Sequence, residues 1–285
     1  YEGTVERVSV EGLGNIFMIP EAFDLIIMNP PFTRATGRTK QFDRGKGLFG
    51  FTSDEETRKK ILERYEDIRN RVKEELIDIA KSHANLFPEV IRDVIKGKEG
   101  LKQYLSIGQA GEGLLFLYLA YKYVKSSGDI AFVLPRALLT GVSWFLVRAL
   151  LATKFHVKYI VVSSDAEKGY NFSEGVSLSE TLIVAKRSDS VDVNLETVFV
   201  NLLGKPSTAM EAMMFAEEIE STARQLKANR TLPIQVGGAR ALILKVLRKQ
   251  LLENVDNWNR FVAVPNEYLV DLVVNNLLAK GKVVL

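Results

Sequence analysis

The 285-residue sequence contains no cysteine and only two histidines, His83 and His156. The first absence removes disulfides, zinc–thiolate sites, iron–sulfur clusters and thiol nucleophiles together. The second argues against a histidine-built metal centre or a histidine-dependent triad, because the two lie far apart in the chain. No apolar run reaches about 18 residues, so no segment is long enough to span a membrane as a helix. Charge of one sign is scarce as well: the formal net charge is +3, which permits a nucleic-acid partner without arguing for one. An initiator methionine is also missing, and no signal-peptide pattern leads the chain, which is therefore expected to be a piece of something longer. The rest is ordinary globular composition, 47% apolar and 26% charged. That excludes wholesale disorder and supplies a sizeable core for one large domain or two small ones.

The apolar run Phe-Asp-Leu-Ile-Ile-Met at 23–28 stops at Asn29-Pro30-Pro31-Phe32. A short run bounded by prolines reads as a buried parallel strand ending at a fixed turn. Residues 33–50 read as a loop. Ser53 and Glu56 form a Ser-x-x-Glu capping box, followed by a charged helix to about residue 82. Its close mixture of signs is that of a solvated face, and no site is assigned to it. Short helices are expected around Pro88 and Gly97. An almost wholly apolar helix over 113–125 ends at Gly128 and leads into a strand over 129–134 that stops at Pro135. A helix over 142–153, a β-branched strand over 157–163, a polar loop and a strand over 178–186 follow. This order implies a mostly parallel α/β sheet with a late antiparallel hairpin. Beyond Ser188 the pattern predicts a strand near 191–200, helices near 208–227 and 238–255, and a last helix near 268–278.

Asn29 to Phe32 fall where ligands sit in an open α/β sheet, outside the carboxyl ends of the strands. Two prolines remove two backbone donors, leaving the adjoining carbonyl free to accept a hydrogen bond. The Asn29 side chain supplies a second acceptor. Two acceptors converging on one amino group orient its lone pair without an ionisable base, and Phe32 offers a flat face for stacking a planar base. The alternative for the isolated tetrapeptide is a plain strand-ending turn.

The decapeptide ending in Asn-Pro-Pro-Phe resembles motif IV of the amino-methyltransferases, which methylate exocyclic amines with S-adenosyl-L-methionine. Ser-Ser-Gly-Asp-Ile-Ala-Phe-Val-Leu-Pro-Arg-Ala-Leu-Leu at 126–139 resembles the helix–turn–strand that follows in those enzymes. Tyr159-Ile-Val-Val-Ser-Ser, Asn171-Phe-Ser-Glu-Gly-Val-Ser and Thr181-Leu-Ile-Val-Ala-Lys-Arg resemble their closing hairpin. Order and spacing are most similar to the γ-type N6-adenine DNA methyltransferases, especially type I modification subunits and related single-chain restriction-modification enzymes. The resemblance covers about residues 15–190. It implies a partial S-adenosylmethionine-dependent methyltransferase (Rossmann-like) sheet with a late antiparallel hairpin, plus a mainly helical C-terminal region. Residues 1–190 would be the C-terminal half of the catalytic domain, with an insertion at 33–108. Residues 191–285 would be a mainly helical extension leading toward a target-recognition domain.

The resemblance further implies that Asn29 and the Pro30 carbonyl, with Pro31 fixing the turn, hold the N6 amine of an adenine flipped out of double-stranded DNA, while Phe32 stacks on it. Asn29 would also border the cofactor. Phe172 takes the place of a second aromatic contact to the base, or else anchors its loop in the core. Phe116 aligns with an aromatic touching the cofactor adenine, or is simply core. Arg34, Arg38, Lys40, Arg44 and Lys46 against Asp43 give a charge of 5 − 1 = +4 over residues 34–46. That stretch could contact phosphates, or be a solvated loop. Specificity or restriction subunits are implied partners, the cytoplasm is the implied location, and no metal or membrane is required.

The sequence departs from the family at its start. Only 28 residues precede Asn29, too few for the strands, helices and Gly-x-Gly turn that cradle S-adenosylmethionine. Glu11-Gly-Leu-Gly and Gly108-Gln-Ala-Gly-Glu-Gly are glycine-rich, but neither sits between a strand and a helix as such a turn must. Most of that pocket is therefore expected on a segment preceding Tyr1. Two other activities remain open: methylation of RNA or of a protein glutamine, and a non-catalytic remnant that binds DNA or a partner.

Overall fold

The computed structural model describes residues 4–8, 14–18, 22–30, 55–99, 102–107, 110–173 and 178–264. Strands β1 (Thr4–Val8) and β2 (Gly14–Met18) pair antiparallel in a ribbon of their own. The main sheet has seven strands: β3 (Phe23–Met28), β4 (Val124–Pro135), β5 (Phe155–Ser163), β6 (Glu180–Arg187), β7 (Glu196–Gly204), β8 (Thr231–Val236) and β9 (Ala239–Leu247). Their order is β3-β4-β6-β5-β7-β9-β8. The pairs β3–β4 and β5–β7 are parallel, β6 opposes both β4 and β5, and β9 opposes both β7 and β8. The expected α/β sheet with a late antiparallel hairpin is present. No helix among the described residues is long and apolar enough to cross a membrane.

One face of the sheet is closed by α1 (Glu55–Ser82), α3 (Glu112–Tyr123) and α4 (Phe145–Lys154), with α2 (Glu89–Ile95) packed against α1. On α1 the buried residues Tyr65, Val72, Leu76 and Ala80 recur at helical spacing, forming a stripe between charged flanks. Nine of the ten residues of α4 are buried, so its length of apolar sequence reflects enclosure from all sides. Ile130, Phe132 and Leu134 of β4 and Ile183 and Ala185 of β6 point into this core. The opposite face is covered over β7, β8 and β9 by α5 (Ala209–Gln225), which buries Phe215, Ile219 and Ala223 against Val198, Val200, Ile234 and Ile243. Over β3, β4 and β6 no described residue covers that face. Leu25 and Ile27 are 55% and 72% exposed, and Ala131, Val133, Leu182 and Val184 are half-buried. The register joins Ile27 to Ala131 to Val184 in one apolar row across three strands.

Three expectations change. Strand β3 is half-open rather than buried, because among the described residues it is the edge of the sheet. Residues 238–255, expected as one helix, are β9 followed by the short α6 (Arg248–Glu253). The stretch Ala-Arg-Ala-Leu-Ile-Leu-Lys-Val-Leu is rich in good helix formers. As a strand between two others it is buried on both faces, which erases the alternation that would have marked it. The local signal was Gly237-Gly238, a two-residue hairpin turn joining Val236 to Ala239, with Gly237 at φ 57°. Among the described residues the C-terminal third contributes three strands beside α5 and α6, the sheet runs unbroken across residue 190, and with two of its six pairings parallel it is mixed rather than mostly parallel. The Ser53–Glu56 capping box and the helix near 268–278 lie outside the described residues.

Two buried arginines lock the C-terminal third to α4. Arg148 donates to four carbonyls, those of Leu138 (2.7 Å), Gly141 (3.0 Å), Val255 (2.5 Å) and Asp256 (3.0 Å). Arg248 donates to Ala152 O (2.8 Å) and Thr153 O (3.1 Å) in the last turn of α4, and to Ser190 O (3.3 Å). A cation at a helix C-terminus satisfies carbonyls that have no intrahelical partner and opposes the negative end of the dipole. Burial lowers both guanidinium pKa values, to about 10. Replacing Arg148 with alanine would strand several buried carbonyls, and a loss of about 2–4 kcal/mol in unfolding free energy is expected. Urea denaturation measures it, and a loss below about 1 kcal/mol would show that these bonds do not secure α4.

Candidate functional site

Strand β3 delivers Asn29 and Pro30 to the carboxyl end of the sheet. Met28 stands opposite Phe132, so the next two residues lie beside the last residues of β4. Pro30 is buried and Asn29 is exposed, which fixes the backbone while leaving the amide at the surface. The Asn29 amide is oriented: Nδ2 donates to Ser173 Oγ at 3.1 Å. No described group donates to its Oδ1. The amide thus spends its donor side on the protein and keeps its acceptor side free.

Ser173 is held in turn. Glu180, fully buried at the start of β6, accepts the backbone N–H groups of Phe172 (2.5 Å) and Ser173 (2.7 Å) with Oε2. Its own N–H donates to Tyr170 O at 3.1 Å. Further back in the loop, Asp165 accepts the backbone N–H groups of Glu167, Lys168 and Lys205 at 2.7–2.9 Å. Burial pushes the Asp165 carboxyl upward, but those three bonds outweigh it and hold the group below its ordinary value. Lys205 Nζ donates to Asn171 O at 2.7 Å, and Asn171 Nδ2 to Ser173 O at 2.7 Å. Two buried carboxylates therefore brace one loop, and the loop aims one asparagine.

Of the residues singled out in the sequence, the structure joins Asn29 and Pro30 to the loop containing Phe172. Phe172 is half-buried and packs against the cluster beneath α5. Phe116 is half-buried on α3 against the main core. Pro31, Phe32, Arg34, Arg38, Lys40, Arg44 and Lys46 lie outside the described residues. Ser173, Glu180 and Asp165 were missed. A glutamate directly before the apolar run Thr-Leu-Ile-Val was the available signal, since a carboxylate entering a buried strand needs donors of its own. Gly14 opens β2, which pairs with β1 in an antiparallel ribbon.

No family model and no curated protein matches this sequence. Among solved structures, the chain is similar to the methyltransferase subunit of a type I restriction-modification system from Streptococcus thermophilus. That match has 15% identity and a TM-score of 0.44, and covers 86% of this chain and 39% of that one. It is also similar to the type IIG restriction endonuclease BpuSI, at 21% identity and TM-score 0.39 over 64% and 19% of the two chains. A third is the EcoKI M protein of a type I restriction enzyme, at 13% identity and TM-score 0.33 over 59% and 44%. The chain spans less than half the length of each.

Removing the Glu180 carboxylate should free the loop. In Glu180→Ala the amides of Phe172 and Ser173 are expected to lose hydrogen-exchange protection, while Glu180→Gln, which keeps an acceptor oxygen, retains most of it. Unchanged protection in the alanine variant would contradict the bracing role. For Asp165 the folded pKa is depressed, so its contribution is complete above about 3.9, the unfolded value. It is lost only as pH falls through the lower folded value. Amide protection of Glu167, Lys168 and Lys205 should therefore persist to pH 4, and its loss at pH 5 would contradict this assignment.

Proposed function

We propose that this chain is part of a DNA methyltransferase of a restriction-modification system, acting on the exocyclic N6 amine of an adenine flipped from the duplex. The observation that carries the proposal is the Asn29 amide. It stands at the carboxyl end of a parallel strand, with its donor side tied to Ser173 and its acceptor side open. An aromatic amine has two N–H bonds and a lone pair delocalised into the ring. Asn29 Oδ1 accepts one N–H and the Pro30 carbonyl the other, which localises the lone pair on the nitrogen and turns it toward the methyl donor. S-adenosyl-L-methionine supplies the electrophilic methyl group. Phe32 and the basic stretch with Arg34, Arg38 and Lys40 are proposed to stack on the base and meet the backbone, and Phe116 to border the cofactor.

The open edge of β3 and the uncovered apolar face over β3, β4 and β6 support a further part of the proposal. Residues 1–190 are the later half of a catalytic domain whose cofactor-binding strands and helices complete the sheet at that edge. Residues 191–285 lead toward a target-recognition domain or the specificity and restriction subunits of a cytoplasmic complex.

The test is Asn29→Ala in the intact protein that carries this chain. Methyl transfer to adenine in duplex DNA should fall by about 10²–10³-fold, with DNA affinity within about threefold of wild type. Asn29→Asp, which keeps an acceptor but loses the bond donated to Ser173, should retain a measurable part of the rate. Wild-type transfer by the alanine variant would exclude Asn29 from holding the amine.

A further inference from the structure

A second feature lies one strand over from Asn29, and the proposed chemistry does not use it. A cavity of about 340 Å³ opens at the carboxyl end of β4, bounded by Glu112 and Gly113 at the start of α3, Arg136 and Ala137 after β4, Trp144, and Ser179 before β6. That volume falls at the lower end of the roughly 300–1,000 Å³ typical of small-ligand sites.

Arg136 is the unusual member of its wall. It is half-buried, and burial lowers its pKa. The other two buried arginines, Arg148 and Arg248, spend their guanidinium donors on four and three carbonyls. Arg136 gives one side-chain bond, from Nη2 to Asn259 Oδ1 at 3.2 Å. No described carboxylate lies within ion-pair distance of it. A guanidinium carries five N–H donors in a planar fork, and Arg136, which lines the cavity, spends only one of them on a described side-chain acceptor. Its backbone is fixed independently, since Arg136 N donates to Ser179 O at 2.8 Å.

Charge elsewhere in the lining narrows the ligand. Glu112 also borders the cavity and is buried, and the Tyr65 hydroxyl donates to its Oε1 at 3.5 Å. A carboxylate in the same lining disfavours a dianion such as free phosphate more than a singly charged phosphodiester. Geometry relates the cavity to Asn29. With Met28 opposite Phe132, Arg136 lies three residues beyond the position level with Asn29, about 10 Å along the strand direction. That separation is of the order between the base edge of a nucleotide and its own phosphate.

We propose that this cavity is a phosphodiester subsite, in which Arg136 grips the DNA backbone next to the nucleotide whose base is held at Asn29. The subsite rests on the DNA-methyltransferase reading, and it adds a backbone contact from the sheet itself.

The experiment is equilibrium binding of the intact protein to a short duplex DNA between 50 and 200 mM salt, for wild type, Arg136→Gln and Arg136→Lys. Arg136→Gln should bind about tenfold more weakly, the loss expected for one charge-assisted contact. The slope of log K against log salt should become shallower by about 0.9, the value for one phosphate. Arg136→Lys should keep the slope and lose at least threefold in affinity, because it retains the charge but not the fork. Unchanged affinity and slope in Arg136→Gln would overturn the subsite while leaving the DNA reading intact. Wild-type protein that does not bind DNA at all would overturn both. If Arg136→Gln does not fold, the lysine variant decides. A threefold loss at an unchanged melting temperature supports the subsite, and wild-type affinity overturns it.

Discussion

Strand β6 runs against both of its neighbours, and that reversal carries the loop before it to the end of the sheet where β3, β4 and β5 finish. A parallel strand in that position would enter from the other end and leave Asn29 without Ser173. The antiparallel insertion also sets Glu180 at the first residue of β6, under the loop it braces. The hydrogen bonds from Asn29 to Ser173 and from Ser173 to Glu180 are thus consequences of topology before they are details of a site. The same reversal places Ser179 against Arg136, so the Asn29–Ser173 pair and the cavity beside it share one structural cause.

The rigidity of this end of the molecule comes from polar groups buried in unusual numbers of satisfied bonds. Arg148 and Arg248 tie the C-terminal third to α4, and Asp165 and Glu180 tie the loop to β6 and β7. Each is expensive to bury alone, and each offsets that cost with two or more hydrogen bonds, although Glu180 Oε1 has no described partner. Against that background the apolar residues Leu25 and Ile27 on β3, and the half-covered row they begin, stand out as surface that the described residues leave open. Among the described residues the two faces of the sheet differ: one is closed by α1, α3 and α4, and the other where α5 lies.

Much of this was legible in the chain. The strand ending at Asn29, the apolar helix before β4, the strand after α4 and the late hairpin each follow from periodicity and proline or glycine punctuation. The pair of acceptors offered by Asn29 and Pro30 follows from donor and acceptor counting. The sequence was misleading where tertiary context outweighs local preference. Residues 239–247 are made of helix formers yet pair as a central strand, because burial on both faces removes the pattern that distinguishes strand from helix. The bracing carboxylates and Arg136 were beyond sequence reasoning for a different reason. Their roles depend in part on partners 40 and 123 residues away, which no local window contains.

The most direct measurement is the identity of the methylated group. Duplex DNA incubated with the intact protein and methyl-labelled S-adenosyl-L-methionine would be digested to nucleosides and separated. The arrangement of Asn29, Pro30 and Ser173 predicts label on adenine N6. Label on cytosine N4, label on a protein glutamine, or no transfer to DNA would contradict it.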